Sequence, residues 1–127
     1  AQPGKAYIFQ RDSNNNWNEV EILTSSDGAA DDKFGSSVSI YGNWAVVGAK
    51  FADVFPVGGG SNFTEGKAYV FKRDSNGDWN ETQILIPSDG DGGEQFGTSV
   101  AIWGDFIIVG APHAGPLAQT NRGQAYI

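Results

Sequence analysis

Acidic side chains cluster in two loops, and each loop comes directly before a Phe-Gly pair. The two stretches read SDGAADDKFG and SDGDGGEQFG. Carboxylates in a glycine-containing loop can surround calcium, which takes about six to eight oxygen ligands. A solvated Asp-Gly turn uses the same residue types without a metal, and we favour that interpretation. Calcium therefore stays a hypothesis, with these candidate ligands: Asp27, Asp31, Asp32, Asp89, Asp91 and Glu94.

A second acidic pattern occurs in DSNNNW, which begins at Asp12, and in DSNGDW, which begins at Asp74. Its alternation of Asp and Asn resembles the start of a calcium-binding loop, but the bidentate Glu that closes an EF-hand is missing. Asn76-Gly77 is a strong signal for a hairpin. We therefore interpret both stretches as hairpin turns.

Catalysis finds little support in the side-chain inventory. His113 is the only histidine and there is no cysteine. The paired carboxylates lie in Gly-rich loops, where we expect nothing to perturb their pKa values. The formal net charge of −7 disfavours nucleic acid and anionic membranes as partners. No apolar run approaches the ~20 residues of a membrane-spanning helix. We predict a protein that is not an enzyme and does not insert into membranes.

The chain repeats itself at an offset of 62 residues. Residues 4–49 and 66–111 are identical at 26 of 46 positions. A third copy begins at Gly123 as GQAYI. The segment before each return to Gly-x-Ala-Tyr changes in length and sequence, which is typical of a surface loop.

Each copy predicts four strands and no helix. Gly42-Asn43 and Gly104-Asp105 each stand between two aromatic residues, which favours two-residue type II′ hairpins. Ala6 to Phe9 and Ala45 to Ala49 are apolar on both strand faces, so similar sheets must cover both sides. Four-stranded units stacked in this way form a β-propeller.

The paired sequences FGSSVSIYGNWAVVGAK and FGTSVAIWGDFIIVGAP, followed by G-x-AYVF-x-R, resemble the FG-GAP repeat. This is the blade unit of integrin alpha-chain propellers and of many surface proteins. The resemblance implies a seven-bladed propeller, usually extracellular, that binds partners and is not an enzyme. It assigns blade-packing roles to Phe34, Gly35, Gly48, Ala49, Phe96, Gly97, Gly110 and Ala111. The integrin-type calcium loop between strands one and two is absent, because tight turns take its place.

The order of the strands predicts incomplete blades. Residues 1–33 supply strands three and four of a first blade, residues 34–95 a complete blade, and residues 96–127 strands one, two and part of three of a further one. Unpaired edges are templates for other strands. Adjoining blades of a longer chain or other copies of this chain would complete them, in a ring or a filament. Simple exchange of strands between copies meets one objection. The segment GQAYI, which begins at Gly123, would compete with GKAYI, which begins at Gly4, for the same place in a blade.

Two further groups of residues bear on surface function. Asn62 and Asn80 fit the N-glycosylation sequon. Four aromatic residues flank the two tight hairpins and form what we call the aromatic rim: Tyr41, Trp44, Trp103 and Phe106. Their rings could stack on sugars, but packing between blades is the role that we favour. The leading expectation is a non-enzymatic extracellular module for adhesion or assembly that binds copies of itself, glycans or surface proteins. The alternatives are a carbohydrate-binding propeller and a propeller fragment attached to an enzyme.

Overall fold

The computed structural model describes residues 2–54, 64–90, 92–115 and 123–127. These residues contain nine strands and no helix. The strands are β1 (Ala6–Arg11), β2 (Trp17–Leu23), β3 (Phe34–Tyr41), β4 (Trp44–Ala49), β5 (Lys67–Arg73), β6 (Trp79–Leu85), β7 (Ser99–Trp103), β8 (Phe106–Ala111) and β9 (Gln124–Tyr126). Consequently, no helix in the described residues is long and apolar enough to cross a bilayer.

The strands form three antiparallel sheets. A two-stranded sheet has the order β1-β2, a four-stranded sheet β3-β4-β5-β6, and a three-stranded sheet β7-β8-β9. Within each sheet, consecutive strands are therefore neighbours, as in the meander of a propeller blade. The prediction of an all-β chain made of incomplete propeller blades is confirmed.

The repeat extends to the backbone. The two-residue turns between β3 and β4 and between β7 and β8 place Gly42 at a φ of 56° and Gly104 at 55°. Positive φ at the first turn position is what a type II′ hairpin requires. The β1–β2 pairing has a bulge between Ile8 and Phe9, and the β5–β6 pairing has one between Val70 and Phe71. These bulges occupy equivalent positions 62 residues apart.

Two apolar cores lie between the sheets. The first joins the two-stranded and four-stranded sheets and contains Ala6, Leu23, Phe34, Ala45, Val47, Ala49, Ala52, Tyr69 and Phe71. The second joins the four-stranded and three-stranded sheets and contains Val46, Ala68, Phe96, Val109, Ala111 and Ala114. Small residues on β4 face both cores, which explains why that strand is apolar on both sides.

The sheets at both ends expose large apolar side chains. Tyr7 and Phe9 on the two-stranded sheet are each 52% exposed. Trp103 and Phe106 on the three-stranded sheet are 74% and 69% exposed. These faces correspond to those that the four-stranded sheet buries against its neighbours.

Candidate functional site

Two equivalent structures, which we call the first and second Phe-Gly modules, join the sheets. The first comprises the loop 24–33 with Phe34 and Gly35. The second comprises the loop 86–95 with Phe96 and Gly97. Each module connects one sheet to the next, so it controls how neighbouring blades pack.

The backbone of each Phe-Gly pair binds the segment that leads into the third strand of the preceding sheet. The Phe34 N–H donates to the Pro3 carbonyl at 2.8 Å, and the Phe96 N–H donates to the Glu65 carbonyl at 2.7 Å. A Cβ added to Gly66 would lie 2.0 Å from the Phe96 carbonyl oxygen. Only glycine permits this approach, and its φ of 88° is also one that glycine favours.

A second close approach joins β4 to the following module. A Cβ added to Gly48 would lie 2.0 Å from the Gly97 carbonyl oxygen. The same carbonyl accepts a hydrogen bond from the Ser37 hydroxyl at 2.7 Å. Gly97 has a φ of 87° and faces the Lys67 carbonyl. Ala49 and Ala111, which follow Gly48 and Gly110, are fully buried.

The phenylalanine rings fill the space between sheets. Phe34 is 3% exposed and meets Tyr69 edge to face, with ring centroids 5.3 Å apart. It also meets Phe71 at 6.2 Å. Phe96 is 2% exposed and meets Tyr126 at 5.3 Å. Both rings therefore sit beside the tyrosine of an Ala-Tyr pair on the third strand.

Asp27 ties the first module to β5. Its carboxylate accepts a hydrogen bond from the Lys67 ammonium at 2.6 Å and from the Tyr69 hydroxyl at 2.8 Å. Burial alone would raise the pKa of Asp27, but the hydrogen bonds from Lys67 and Tyr69 outweigh it and hold that pKa below the usual range. Burial and the Asp27 contact raise the pKa of Tyr69 far above its ordinary value.

A second contact ties the first module to β6. The Ser26 N–H and hydroxyl donate to the two carboxylate oxygens of Glu81, at 3.0 and 2.6 Å. The loop is therefore held by two strands of the sheet that follows it.

The other carboxylates of the first module have separate roles. Asp32 is 6% exposed and accepts the Ala29 N–H at 2.7 Å. Burial raises the pKa of Asp32. Asp31 lies on the exposed side and is 3.7 Å from the Lys33 ammonium. The expectation of unperturbed pKa values in these loops is wrong, because the loops fold back onto the sheets and shield part of their carboxylates from water.

The second module has the same plan, with different hydrogen-bonding partners among its described residues. Asp89 accepts the Tyr126 hydroxyl at 2.7 Å. Burial and the bond to Asp89 raise the pKa of Tyr126. Gln124 stands where the first module has Lys67. Glu94 is buried, and its backbone carbonyl accepts the His113 N–H at 3.2 Å.

The calcium candidates do not gather into one cage in the part of the chain that the structure describes. No three acidic, histidine or cysteine side chains among those residues are grouped closely enough to hold a metal ion. Asp27 and Asp89 instead bind side chains of the following sheets. Asp91 lies outside the described residues. Calcium binding stays a prediction.

The Asp12 and Asp74 carboxylates organise hairpin turns. Asp12 Oδ1 accepts the Asn14 and Asn16 N–H groups at 2.9 Å, and its Oδ2 accepts the Asn18 amide at 3.1 Å. Asp74 binds the equivalent groups in its own turn. Backbone hydrogen bonds, foremost those from Asn16 and Asp78, lower the pKa values of Asp12 and Asp74.

The aromatic rim is only partly assembled. The Tyr41 and Trp103 rings lie with their centroids 4.9 Å apart across two sheets. The Lys72 ammonium lies 5.1 Å from the centre of the Trp44 ring. Phe106 is exposed on the outer face of β8. The Tyr41–Trp103 pair is therefore the part of the rim that could contact a ligand as a unit.

The two sequons differ in what can be described. Asn80 is exposed on β6, where its amide donates to Asp74 at 3.0 Å. The Thr82 hydroxyl donates to the Val70 carbonyl at 3.2 Å. Asn62 lies outside the described residues.

Sequence reasoning missed three residues that hold the first module in place: Lys67, Tyr69 and Glu81. A signal for them exists in the repeat, because Lys5, Tyr7 and Glu19 occupy the equivalent positions. An acidic loop and a lysine that recur together at one offset indicate an ion pair, although the offset alone does not show which copies meet.

Comparison with known families agrees with this geometry. A family model described as FG-GAP repeat matches residues 17–71 and 79–127. A search of curated proteins found no match. The two matches span most of the chain and contain both Phe-Gly modules, so the chain belongs to the FG-GAP repeat family.

Proposed function

We propose that this chain is a non-enzymatic module of an extracellular or surface structure, and that it acts in adhesion or assembly by joining further FG-GAP blades. Membership of the family supports a propeller-like module, and FG-GAP repeats are typical of extracellular and surface proteins. The further blades are other copies of this chain or adjoining blades of a longer one.

The exposure of the two end sheets is the observation that carries the proposal. Tyr7 and Phe9 at one end, and Trp103 and Phe106 at the other, are each more than half exposed. Large aromatic groups grouped on one face mark interaction surfaces. Repeat units that cannot bury their faces alone gain stability by stacking on similar units.

Light scattering on the 127-residue chain tests the proposal. We expect particles heavier than 13.5 kDa whose mass grows with protein concentration. A compact species of 13.5 kDa at every concentration, which unfolds cooperatively and binds no dye specific for apolar surface, would contradict self-association.

Carbohydrate binding is the second candidate, and the stacked pair of Tyr41 and Trp103 favours it. Trp103 is 74% exposed although its ring already contacts Tyr41. Exposed aromatic faces stack on the apolar faces of sugars, and a protein of net charge −7 tolerates neutral glycans.

A glycan array with two matched variants tests this candidate. Trp103→Ala should keep the fold and abolish sugar binding. Trp17→Ala removes another exposed tryptophan, 67% exposed on β2, and should bind normally. Equal binding by both variants, or no binding by the wild type, would remove the carbohydrate candidate.

Glycosylation also belongs to the proposed extracellular role. Asn80 is exposed on β6, the outer edge strand of the four-stranded sheet, where a glycan would cover unpaired backbone groups. Intact-mass analysis of material from its natural source, before and after enzymatic deglycosylation, tests occupancy at Asn62 and Asn80.

A further inference from the structure

We propose that two copies of this chain join head to tail by completing a blade: the β1–β2 hairpin of one copy replaces β9 beside β8 of the other. The inference rests on the proposed self-association and specifies how it occurs. The partner is a second copy of this chain, and its β3 then packs against β7 and β8 of the first copy. Each added copy extends the array in the same direction, into a closed ring or an open filament.

Backbone pairing favours the exchange. In the four-stranded sheet, β4 pairs with β5 at six positions, from Trp44 to Ala49. In the three-stranded sheet, β8 pairs with β9 at three positions, from Val109 to Ala111. The β1 strand has 6 residues and already carries β2 on its other edge. Its free edge therefore matches the six-position pairing that β4 makes with β5.

The ion pair between Lys67 and Asp27 in the first module could form again between two copies, from the equivalent residues Lys5 and Asp89. Lys67, which binds Asp27, lies 62 residues after Lys5. Asp89, the equivalent of Asp27, accepts the Tyr126 hydroxyl in its own chain, and Gln124 stands on β9 at the position of Lys67. Lys5 is exposed. Docking of β1 would bring Lys5 of the second copy to Asp89, which is complementary in charge.

Two further contacts repeat in the same way. Tyr69 corresponds to Tyr7, so the hydroxyl of an exposed tyrosine would reach Asp89. The bond between Ser26 and Glu81 would be reproduced between Ser88 and Glu19 of the second copy. The β1–β2 hairpin therefore carries the equivalents of Lys67, Tyr69 and Glu81, which hold the first module.

Docking of the second copy would also cover exposed apolar side chains. Val46 is fully buried in the second core, and Val100 and Ile102 pack against that core. The equivalent of Val46 is Ile108, which is 42% exposed. Val38 and Ile40, the equivalents of Val100 and Ile102, are 61% and 56% exposed. In the assembled pair, Val38 and Ile40 of the second copy would cover Ile108.

The surface beside Gly110 indicates where the second copy would lie. A Cβ on Gly48 would meet the Gly97 carbonyl, whereas the three atoms nearest a Cβ on Gly110 all belong to Ser99. Ser99 is the equivalent of Ser37, and it is exposed. In the assembly, Gly110 and Ser99 would both meet the Gly35 carbonyl of the second copy.

Cysteine crosslinking tests the register directly, because the chain contains no cysteine. The observed pair of Trp44 and Lys72 predicts that Phe106 of one copy pairs with Gln10 of the next. A double variant with Gln10→Cys and Phe106→Cys should form a ladder of disulfide-linked oligomers on mild oxidation. Within one chain the two positions lie in sheets on opposite sides of the four-stranded sheet. The matched control carries Thr24→Cys with Phe106→Cys, because Thr24 follows the far end of β2 and should not reach.

Two single variants measure the docking contacts. Lys5→Glu should raise the concentration needed for assembly by at least about tenfold, because it places a carboxylate against Asp89. Lys50→Glu changes the net charge equally at a side chain that lies over Phe51 of its own loop, outside the docking contacts, and should assemble like the wild type. Gly110→Ala should keep the fold of the single chain, measured by circular dichroism, and lose assembly.

The outcomes separate this inference from the proposed function. A ladder in the Gln10–Phe106 variant and not in its control, with loss of assembly in Lys5→Glu and Gly110→Ala, supports hairpin docking. Particles that stay large with no ladder, or with equal ladders in variant and control, overturn the docking mode and leave self-association intact. A wild-type chain of 13.5 kDa at every concentration overturns both.

Discussion

The two Phe-Gly modules have equivalent backbone contacts and each buries a phenylalanine ring, but their side-chain hydrogen bonds differ. Phe34 and Phe96 are equally buried, and their N–H groups bind equivalent carbonyls. The first loop is held through Ser26 and Asp27 by strands β5 and β6, whereas Asp89 in the second accepts the Tyr126 hydroxyl on β9. The apolar packing is therefore part of each repeat, whereas the side-chain hydrogen bonds depend on the strands of the sheet that follows.

Removing the phenylalanine rings should have the largest effect. Phe34→Ala and Phe96→Ala should each lower the free energy of unfolding by about 3–5 kcal/mol, because each leaves a cavity between sheets. The loss should be greater for Phe34, since among the described residues that ring contacts two aromatic rings and Phe96 contacts one. Urea denaturation of both variants measures the difference. A larger loss for Phe96→Ala would show that the two modules do not share one packing scheme.

The equivalent glycines Gly48 and Gly110 should differ in how much their substitution destabilises the fold. Gly48→Ala places a methyl group against the Gly97 carbonyl and should lower the free energy of unfolding by about 1–3 kcal/mol. The three atoms nearest a Cβ at position 110 all belong to Ser99, at the exposed end, so Gly110→Ala should change the free energy of unfolding by less than about 0.5 kcal/mol in dilute solution. Thermal unfolding of both variants checks this, and similar losses would mean that Gly110 is already enclosed.

Much of the fold could be predicted from the sequence because each local structural signal occurs in both copies of the repeat. Gly42 and Gly104 predict hairpins, and both have the positive φ that such turns require. Small apolar residues on β4 predict a strand covered on both faces, and its residues Ala45 to Ala49 are buried. Agreement between two copies removes the ambiguity that one short apolar run would leave.

The polar contacts of the modules could not be predicted in the same way. Asp27 and Lys67 lie 40 residues apart, so their meeting depends on how a loop crosses to the following sheet. Local sequence rules contain no information about such a crossing. The shielding of Asp32 has the same origin, because a Gly-rich loop looks exposed until the sheets on either side are placed.

Neutralising Asp27 should have a smaller effect than the packing variants. Asp27→Asn should destabilise the protein by about 1 kcal/mol at neutral pH, less than a buried ion pair, because the Asp27 side chain is 39% exposed and solvent screens it. The folded-state pKa of Asp27 is lowered, so its contribution is present above the ordinary carboxylate pKa and is lost as pH falls through the folded value. Unfolding curves from pH 7 to pH 3 should therefore converge for wild type and variant. A gap that is constant with pH would show that the charge of Asp27 does not matter.

Asp32 should behave in the opposite sense. Its folded-state pKa is raised by burial, so its contribution is full below the ordinary carboxylate pKa and is lost as pH rises through the folded value. Asp32→Asn keeps an oxygen for the Ala29 N–H and removes the buried charge. We expect a gain of less than about 1 kcal/mol at neutral pH that disappears in acid. Destabilisation at neutral pH would show that the ionised carboxylate is needed.

Calcium should have the smallest effect, and the second module is where it would act if it binds. Gln124 takes the position of Lys67 in this module, so a cation bound by Asp89 would stand where the first module has the Lys67 ammonium group. Calcium at about a hundred times its dissociation constant would stabilise the fold by about 2.7 kcal/mol and raise the melting temperature by several degrees. We expect no such rise and no fall in EDTA, because the described carboxylates form no cluster of three and Asp89 already binds Tyr126. A calcium-dependent rise that Asp89→Asn abolishes and Asp27→Asn preserves would instead place a metal ion in the second module.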